Sequence, residues 1–383
     1  MNAPRFALVH DWLDTWRGGE NVLAEMLRIY PQADLFALVD FLPDDARQQL
    51  LGRRAVTSFL QRLPGARRHF RAYLPLFPRA IESLDVSAYD IVISSSHAVA
   101  KGVRTRPDQL HICYCHTPMR YAWDLREQYL EASGLAAGPR SAIARHMLDR
   151  LREWDRSASK RVSAFVANSE FIRARIERCY GRDSTVIAPP VDTDFFTPAG
   201  GERGDDYVTA SRWVPYKRVD LIVAAFRELP GRRLVVVGDG PDAARVRAAA
   251  GPNVEFVGEV ARERLRALLR GARAFLFAAE EDFGILPLEA QAVGTPVIAL
   301  GRGGVLETVR GLDNRVPTGV FFVEQTPAAI AGAVRSFEAN APRIRPEACR
   351  ANAERFSAER FRREFGAFVA ARQAGFASRE ARP

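Results

Sequence analysis

Short β-branched runs alternate with helical patterns along almost the whole of this 383-residue chain, and this restricts the fold more than any other feature. Strands that alternate with helices pair in parallel, with helices covering both faces of the sheet. In the first half the predicted strands are 6–10, 35–39, 91–94, 111–115, 164–167 and 185–188. They read as near-continuous apolar runs, as strands buried on both faces should. Between them, Val22, Leu23, Met26, Leu27 and Tyr30 form one helical stripe, and Ile143, Met147, Leu151 and Trp154 form another.

After Ala188 the pattern breaks. The stretch PPVDTDFFTPAGGERGDD is rich in Pro, Gly and Asp and reads as an interdomain linker. Alternation then restarts with YVTAS, RLVVVG, VEFVG, AFLFA, PVIAL and GVFFV. The last helix is expected over 357–373, with Ser357 as N-cap and Phe361, Phe365, Phe368 and Val369 on one face. The fold class is therefore α/β, with two tandem doubly wound Rossmann-like domains facing an interdomain cleft. The expected boundaries are 1–195, 196–356 and a C-terminal helix 357–383 that returns to the first domain. Ligands of such sheets sit at the carboxyl ends of the strands.

Composition narrows the class further. At 47% hydrophobic and 26% charged, the chain can bury two cores, which excludes disordered and fibrous classes. No apolar run approaches the roughly 18–20 residues of a membrane span, and the N-terminus lacks a signal-peptide pattern. A soluble cytoplasmic chain is the expectation. The four cysteines make no CxxC pair and no zinc-ligand ladder, so neither a disulfide framework nor a metal site is expected. The net charge of +9 fits anionic partners. The basic residues are almost all Arg, which makes Lys101, Lys160 and Lys217 informative.

Several segments could carry chemistry. Glu280-Glu281-Asp282-Phe283-Gly284 follows the strand AFLFA and turns into a helix through Ile285 and Leu286 to Glu289. Acids at a buried strand's end are costly unless they meet a polar ligand or cations, and the helix's first amides can hold phosphate or sugar oxygens. The alternative is an acidic cap favouring the helix dipole. Arg212 and Lys217, just after the first strand of the second half, could converge on a diphosphate or form a solvated basic turn. Gly18 and Gly19, Gly238–Asp239–Gly240 and Gly301–Gly304 follow strands; each suits either phosphate approach or a tight turn. His116 stands where a buried strand leaves the sheet, as a substrate contact or a structural histidine. Ser94-Ser95-Ser96-His97 repeats that placement more weakly. Asp192-Thr193-Asp194 resembles a metal-binding DxD only superficially, since it falls in the linker. From Gly52 to Ile81, arginines interleave with Phe59, Leu60, Leu63, Phe70, Tyr73, Leu74, Leu76 and Phe77. That mixture suits an anionic membrane surface or a lipid-linked substrate, or a core helix with a solvated Arg face.

Taken in order, these segments resemble the retaining GT-B glycosyltransferases of family 4, the group 1 family of sugar-nucleotide-dependent transferases. EDFGILPLE looks like the family's E-x7-E motif, SRWVPYKRVDLIVAAF its Arg/Lys diphosphate segment, RGGENVL its glycine loop and YCHTPMRYAWD its acceptor-side histidine segment. Asp282 stands where the family often has a small residue. The resemblance implies that Arg212 and Lys217 stabilise the departing diphosphate, Glu289 holds the ribose and Glu281 contacts the transferred sugar. It implies that amides from Phe283, Gly284, Ile285 and Leu286 bind sugar and phosphate oxygens, that Gly18 and Gly19 approach the phosphate, and that His116 lines the sugar site. It also implies a nucleotide sugar as co-substrate, with neither metal nor other cofactor. HTPMRYAWD looks most like mannosyltransferases of O-antigen or exopolysaccharide synthesis, such as lipopolysaccharide enzymes, which makes GDP-mannose the first donor and a glycan or polyprenyl-linked lipid the acceptor.

Three rival readings are weaker. A GT-B nucleotide-sugar epimerase shares the architecture, but EDFGILPLE and SRWVPYK speak against it. A dehydrogenase lacks its GxGxxG. A nucleic-acid-binding module lacks a motif to organise the scattered arginines, so no nucleic-acid partner is expected.

Overall fold

The computed structural model describes residues 3–132, 134–200 and 203–380. The chain divides into two compact units, one formed by the residues up to Ala188 with those from Phe361 onward, the other by Pro189–Arg360. The first holds seven strands: β1 (Phe6–His10), β2 (Asp34–Ala37), β3 (Val56–Thr57), β4 (Ile91–Ser96), β5 (Leu110–Cys115), β6 (Ala164–Ala167) and β7 (Ser184–Val186). The second holds β8 (Tyr207–Ala210), β9 (Leu234–Val237), β10 (Val254–Gly258), β11 (Ala274–Phe277), β12 (Val297–Leu300) and β13 (Gly319–Phe322). All pairings are parallel. The orders are β3-β2-β1-β4-β5-β6-β7 and β10-β9-β8-β11-β12-β13. In each sheet the order reverses beside the unit's first strand, between β1 and β4 and between β8 and β11.

The sheet of the first unit is buried on both faces. Phe6, Leu8, Ile91, Ile93, Ile112 and Tyr114 face one core with helix α1 (Gly18–Ile29), and Ala7, Val9 and Val92 face the other. The C-terminal helix, Ala358–Glu380, brings Phe361, Phe365 and Val369 into the α1-side core, where both rings meet Tyr114 edge-on. Ser357 caps it, accepting the Arg360 N–H at 3.3 Å.

Two expectations differ from the structure. The Arg-rich segment 52–81 is no single helix. It supplies the edge strand β3, followed by short 3-10 and α turns that bury Leu60, Phe70, Phe77 and Ile81. The helix Pro139–Ser159, here α2, is rotated from the expected stripe. Ile143 is 64% exposed, while Leu148, Leu151, Asp155 and Ala158 face inwards. Apolar periodicity could not count Asp155 as a core residue. Its carboxylate is completely buried because it pairs with Lys101 at 2.5 Å and accepts from the Tyr180 hydroxyl and the Trp123 indole at 2.7 and 2.9 Å. Lys101 also donates to the Ala98 carbonyl at 2.7 Å. Burial alone would depress the lysine's pKa, but the Asp155 charge raises it, so the ammonium stays ionised.

Breaking such a pair on one side leaves an uncompensated buried charge. Asp155→Ala is expected to cost about 3–5 kcal/mol, whereas the double change Lys101→Met with Asp155→Leu should cost far less. Denaturant melts of the two variants check this.

Candidate active site

In the first unit the apolar rows of the sheet end in polar side chains. Along one face, Phe6 and Leu8 lead to His10, Ile91 and Ile93 to Ser95, and Ile112 and Tyr114 to His116. The register pairs His10 with Ser95 and Ser95 with Tyr114. The Ser95 hydroxyl therefore lies between two imidazoles, 3.1 Å from His10 Nδ1 and 2.8 Å from His116 Nε2. The start of α1 covers them. A Cβ on Gly19 would lie 3.6 Å from the His10 ring and 3.9 Å from His116 Nε2. Glu20, one residue on, accepts the Arg17 N–H at 2.9 Å and places its other oxygen 3.6 Å from His10 Nε2. Gly18 and Gly19 thus stand in the first turn of α1 with amides that make no bond to a described protein group.

Asp11, immediately after β1, anchors the loop after β4. It accepts backbone N–H groups from His97, Ala98, Val99 and Ala100 at 2.5–3.0 Å and pairs with the His97 ring at 2.9 Å. Burial would raise its pKa, but His97 outweighs burial and holds it well below the ordinary carboxylate range. The same pairing raises His97 despite its desolvation. His116 moves the opposite way. Burial pushes it down to about 3, with His97 and His10 adding to the fall, so its imidazole is neutral.

In the second unit, adjacency of β8 and β11 makes their following loops neighbours. Lys217, after β8, forms an ion pair with Glu281, after β11. Its ammonium also faces the rings of Tyr216 and Phe277 at 5.4 and 5.7 Å. Arg212 is exposed at the start of the same loop and makes no ion pair with a described residue. Glycine backbones hold both segments. A Cβ on Gly238 or Gly240 would lie 1.9 Å from the Ser211 carbonyl oxygen or 2.3 Å from that of Trp213. On Gly303 or Gly304 it would lie 2.5 Å from the Glu281 carbonyl oxygen or 2.3 Å from that of Asp282. These glycines serve close backbone approach under the two segments.

Gly284 caps helix Ile285–Ala292, here α3, at a φ of 90°. Phe283, Gly284, Ile285 and Leu286 form its opening turn, and their amides have no hydrogen-bond acceptor among the described residues. Pro287 has no N–H to satisfy. Glu289, in the second turn, is half-buried, and its carboxyl makes no hydrogen bond to a described residue. Burial pushes its pKa up to about 7; Arg262 lowers it and Asp192 raises it. Asp192 itself pairs with Arg262 at 3.0 Å and accepts the Phe195 N–H at 3.0 Å. Among the described residues no cluster of three or more His, Cys, Asp or Glu side chains is placed to hold a metal ion.

The structure thus joins Lys217 to Glu281 and Gly19 to His116, and gives no direct contact between Arg212 and Glu289. Sequence reasoning missed His10, Asp11 and Glu20. The signal was present in FALVHDW, where a buried strand ends on two ionisable residues.

A family model for group 1 glycosyl transferases matches residues 192–356, and one for glycosyltransferase family 4 matches residues 16–195. The chain belongs to the group 1, family 4 glycosyltransferases. Among curated members, a D-inositol 3-phosphate glycosyltransferase of Mycobacteroides abscessus is 36% identical over 141 residues, 31% of this chain and 32% of that protein. A GDP-mannose-dependent α-(1-6)-phosphatidylinositol monomannoside mannosyltransferase of Mycobacterium tuberculosis is 33% identical over 172 residues, 37% of this chain and 45% of that protein. The chain therefore spans less than half the length of either curated relative. Over nearly full length, the fold matches sucrose-phosphate synthase from Thermosynechococcus elongatus, with a TM-score of 0.73 at 18% identity, covering 97% of this chain and 100% of that one. That likeness shows the GT-B fold of the family.

Glu289 yields a pH prediction. With its folded pKa raised to about 7, its contribution to stability is full below the ordinary carboxyl pKa and is lost as pH rises through about 7. Glu289→Gln removes that loss. Its melting temperature should exceed the parent's by a few degrees at pH 8 and converge with it near pH 5, as differential scanning calorimetry would read.

Proposed function

We propose that this chain is a retaining glycosyltransferase that moves a hexose, mannose from GDP-mannose, onto a glycan or lipid-linked acceptor. The observation that carries the reading is the Lys217–Glu281 pair beside the open N-terminus of α3, at the point where the second sheet's order reverses. A ligand of an open α/β sheet binds outside the strand ends at such a point. Breaking the bond from the anomeric carbon to the diphosphate leaves negative charge on the phosphate. Lys217 and the amides of Phe283 to Leu286 are fixed donors that stabilise this charge without reorganising, and Arg212 adds a further positive charge. Glu281 holds Lys217 in place and offers an acceptor to a sugar hydroxyl. Glu289 offers a carboxyl to the ribose diol, and His116 lines the sugar site on the first unit. The donor assignment draws support from the mannosyltransferase relative.

A thermal-shift panel of GDP-, UDP- and ADP-sugars tests the donor. A ligand that binds only the native state stabilises it by about 2.7 kcal/mol at a hundredfold excess over Kd, so GDP-mannose should give the largest rise. A larger rise with a UDP-sugar would discard mannose from GDP-mannose as the donor. With the donor in hand, Lys217→Ala and Glu281→Ala should each lower turnover by roughly 10²-fold or more while melting near the parent.

The first unit also supports contact with an anionic membrane. Arg54, Arg62, Arg67, Arg68, Arg71 and Arg79 are exposed along the segment that follows β2, beside Leu51, Val56 and Phe59, which are 49%, 55% and 42% exposed. No described helix is long and apolar enough to cross a membrane. A surface arginine near anionic lipid contributes about 1 kcal/mol. The double variant Arg67→Ala, Arg68→Ala should therefore bind phosphatidylserine vesicles roughly 10- to 30-fold more weakly in a sedimentation assay.

A further inference from the structure

The polar cluster at the end of β1, β4 and β5 contains more ordered chemistry than the sugar-site role of His116 requires. The Ser95 hydroxyl has one proton and two imidazole neighbours, His10 Nδ1 at 3.1 Å and His116 Nε2 at 2.8 Å. It can donate to only one of them and must accept from the other. The two rings therefore cannot present the same face to it.

Glu20 decides the direction. The side chains of His10 and Glu20 are 0% and 6% exposed, and a carboxylate oxygen stands 3.6 Å from His10 Nε2. No described group hydrogen-bonds that nitrogen, so the nearby carboxylate is its one charged neighbour at that distance. A carboxylate only accepts, so a bare nitrogen turned towards it would set two lone pairs against each other in a buried site of low dielectric. In the neutral ring the proton therefore sits on His10 Nε2, and Nδ1 is the acceptor. Ser95 spends its proton on His10 Nδ1. The short contact to His116 is then satisfied only if His116 Nε2–H donates to Ser95 Oγ. In a neutral His116 this leaves Nδ1 with a free lone pair. No described residue bonds Nδ1, and the ring is only part-buried.

We propose that Glu20, His10 and Ser95 form a positioning relay that fixes His116 in the Nε2–H tautomer and presents its Nδ1 as a hydrogen-bond acceptor for a hydroxyl of the bound sugar. The sugar part of this rests on the transferase reading above; the relay does not. The other charged and titratable groups around His116 are His97, whose ring centroid is 6.4 Å away, Tyr114 at 5.1 Å, and Asp11, which is already committed to the loop after β4. None of them bonds either nitrogen of His116. Burial, which pushes His116 down to about 3, keeps the ring neutral at working pH so that the tautomer matters.

The sequence holds six histidines, few enough for imidazole nitrogens to be resolved individually. Long-range proton–nitrogen spectra of the full chain, labelled with 15N-histidine and recorded at pH 8, read each tautomer, with His116→Gln assigning the resonance. The expected result is a pyrrole-like Nε2 and a pyridine-like Nδ1 on His116. Glu20→Gln keeps an acceptor for the Arg17 N–H and removes only the charge, so the fold is retained; it and Ser95→Ala should each shift His116 towards a mixture of tautomers. In the transfer assay both should lower kcat, with the KM for the nucleotide sugar changing less than about twofold. A protonated Nδ1 on His116 in the parent would overturn the relay, as would an unchanged tautomer in both variants. The spectra need no substrate. If they give the expected tautomer and no sugar nucleotide is turned over, the transferase reading fails and the relay stands.

Discussion

A parallel strand covered by helices on both faces has room for polar side chains only at its ends, and this constraint organises both units. Within each sheet the chain crosses in opposite directions from the first strand, which sets the ends of β1 and β4, or of β8 and β11, side by side. Several residues with chemistry to offer sit there. His10, Asp11, Ser95 and His97 stand at one such point, with His116 one strand further on. Lys217 and Glu281 stand at the other. The apolar rows behind them are the reason these positions are fixed. His10 continues Phe6 and Leu8, and Ser95 continues Ile91 and Ile93, so any register shift would carry a polar residue into the core.

The charged groups are held by two different devices. In the first unit the carboxylate of Asp11 is buried and surrounded by backbone N–H groups, which makes it a structural anion that shapes the loop after β4. In the second unit backbone does the shaping. Gly238, Gly240, Gly303 and Gly304 let two strand-end segments rest on carbonyl groups at distances no Cβ allows. Across the two segments Lys217 pairs with Glu281.

Much of this was legible in the sequence. Continuous apolar runs at regular spacing identify the parallel sheets, and Phe361, Phe365 and Val369 identify the face that the last helix buries. Elements whose stability comes from polar contacts were not legible. The α2 stripe was misjudged because Asp155 counts as polar in any periodicity, yet is among the most buried residues of its helix once Lys101, Trp123 and Tyr180 surround it. The edge strand β3 lies in an Arg-rich stretch whose exposed side masks its two-residue pairing with β2. His116 could be singled out because it follows an apolar run, but its partners lie 21 and more residues away on other strands. Only sheet order brings them together.

Two of the three lysines occupy settings that suit a compact ammonium, while Lys160 is exposed. An ammonium is compact and donates in three directions, whereas a guanidinium is a planar fork that needs coplanar acceptors. Lys101 lies wholly inside the first unit between a carbonyl and a carboxylate on different elements, where a compact ammonium meets both. Lys217 meets Glu281 with two aromatic rings near its ammonium. The arginines that replace lysine elsewhere sit on surfaces or in forks, as Arg47 does on Asp40 with contacts of 2.7 and 3.0 Å.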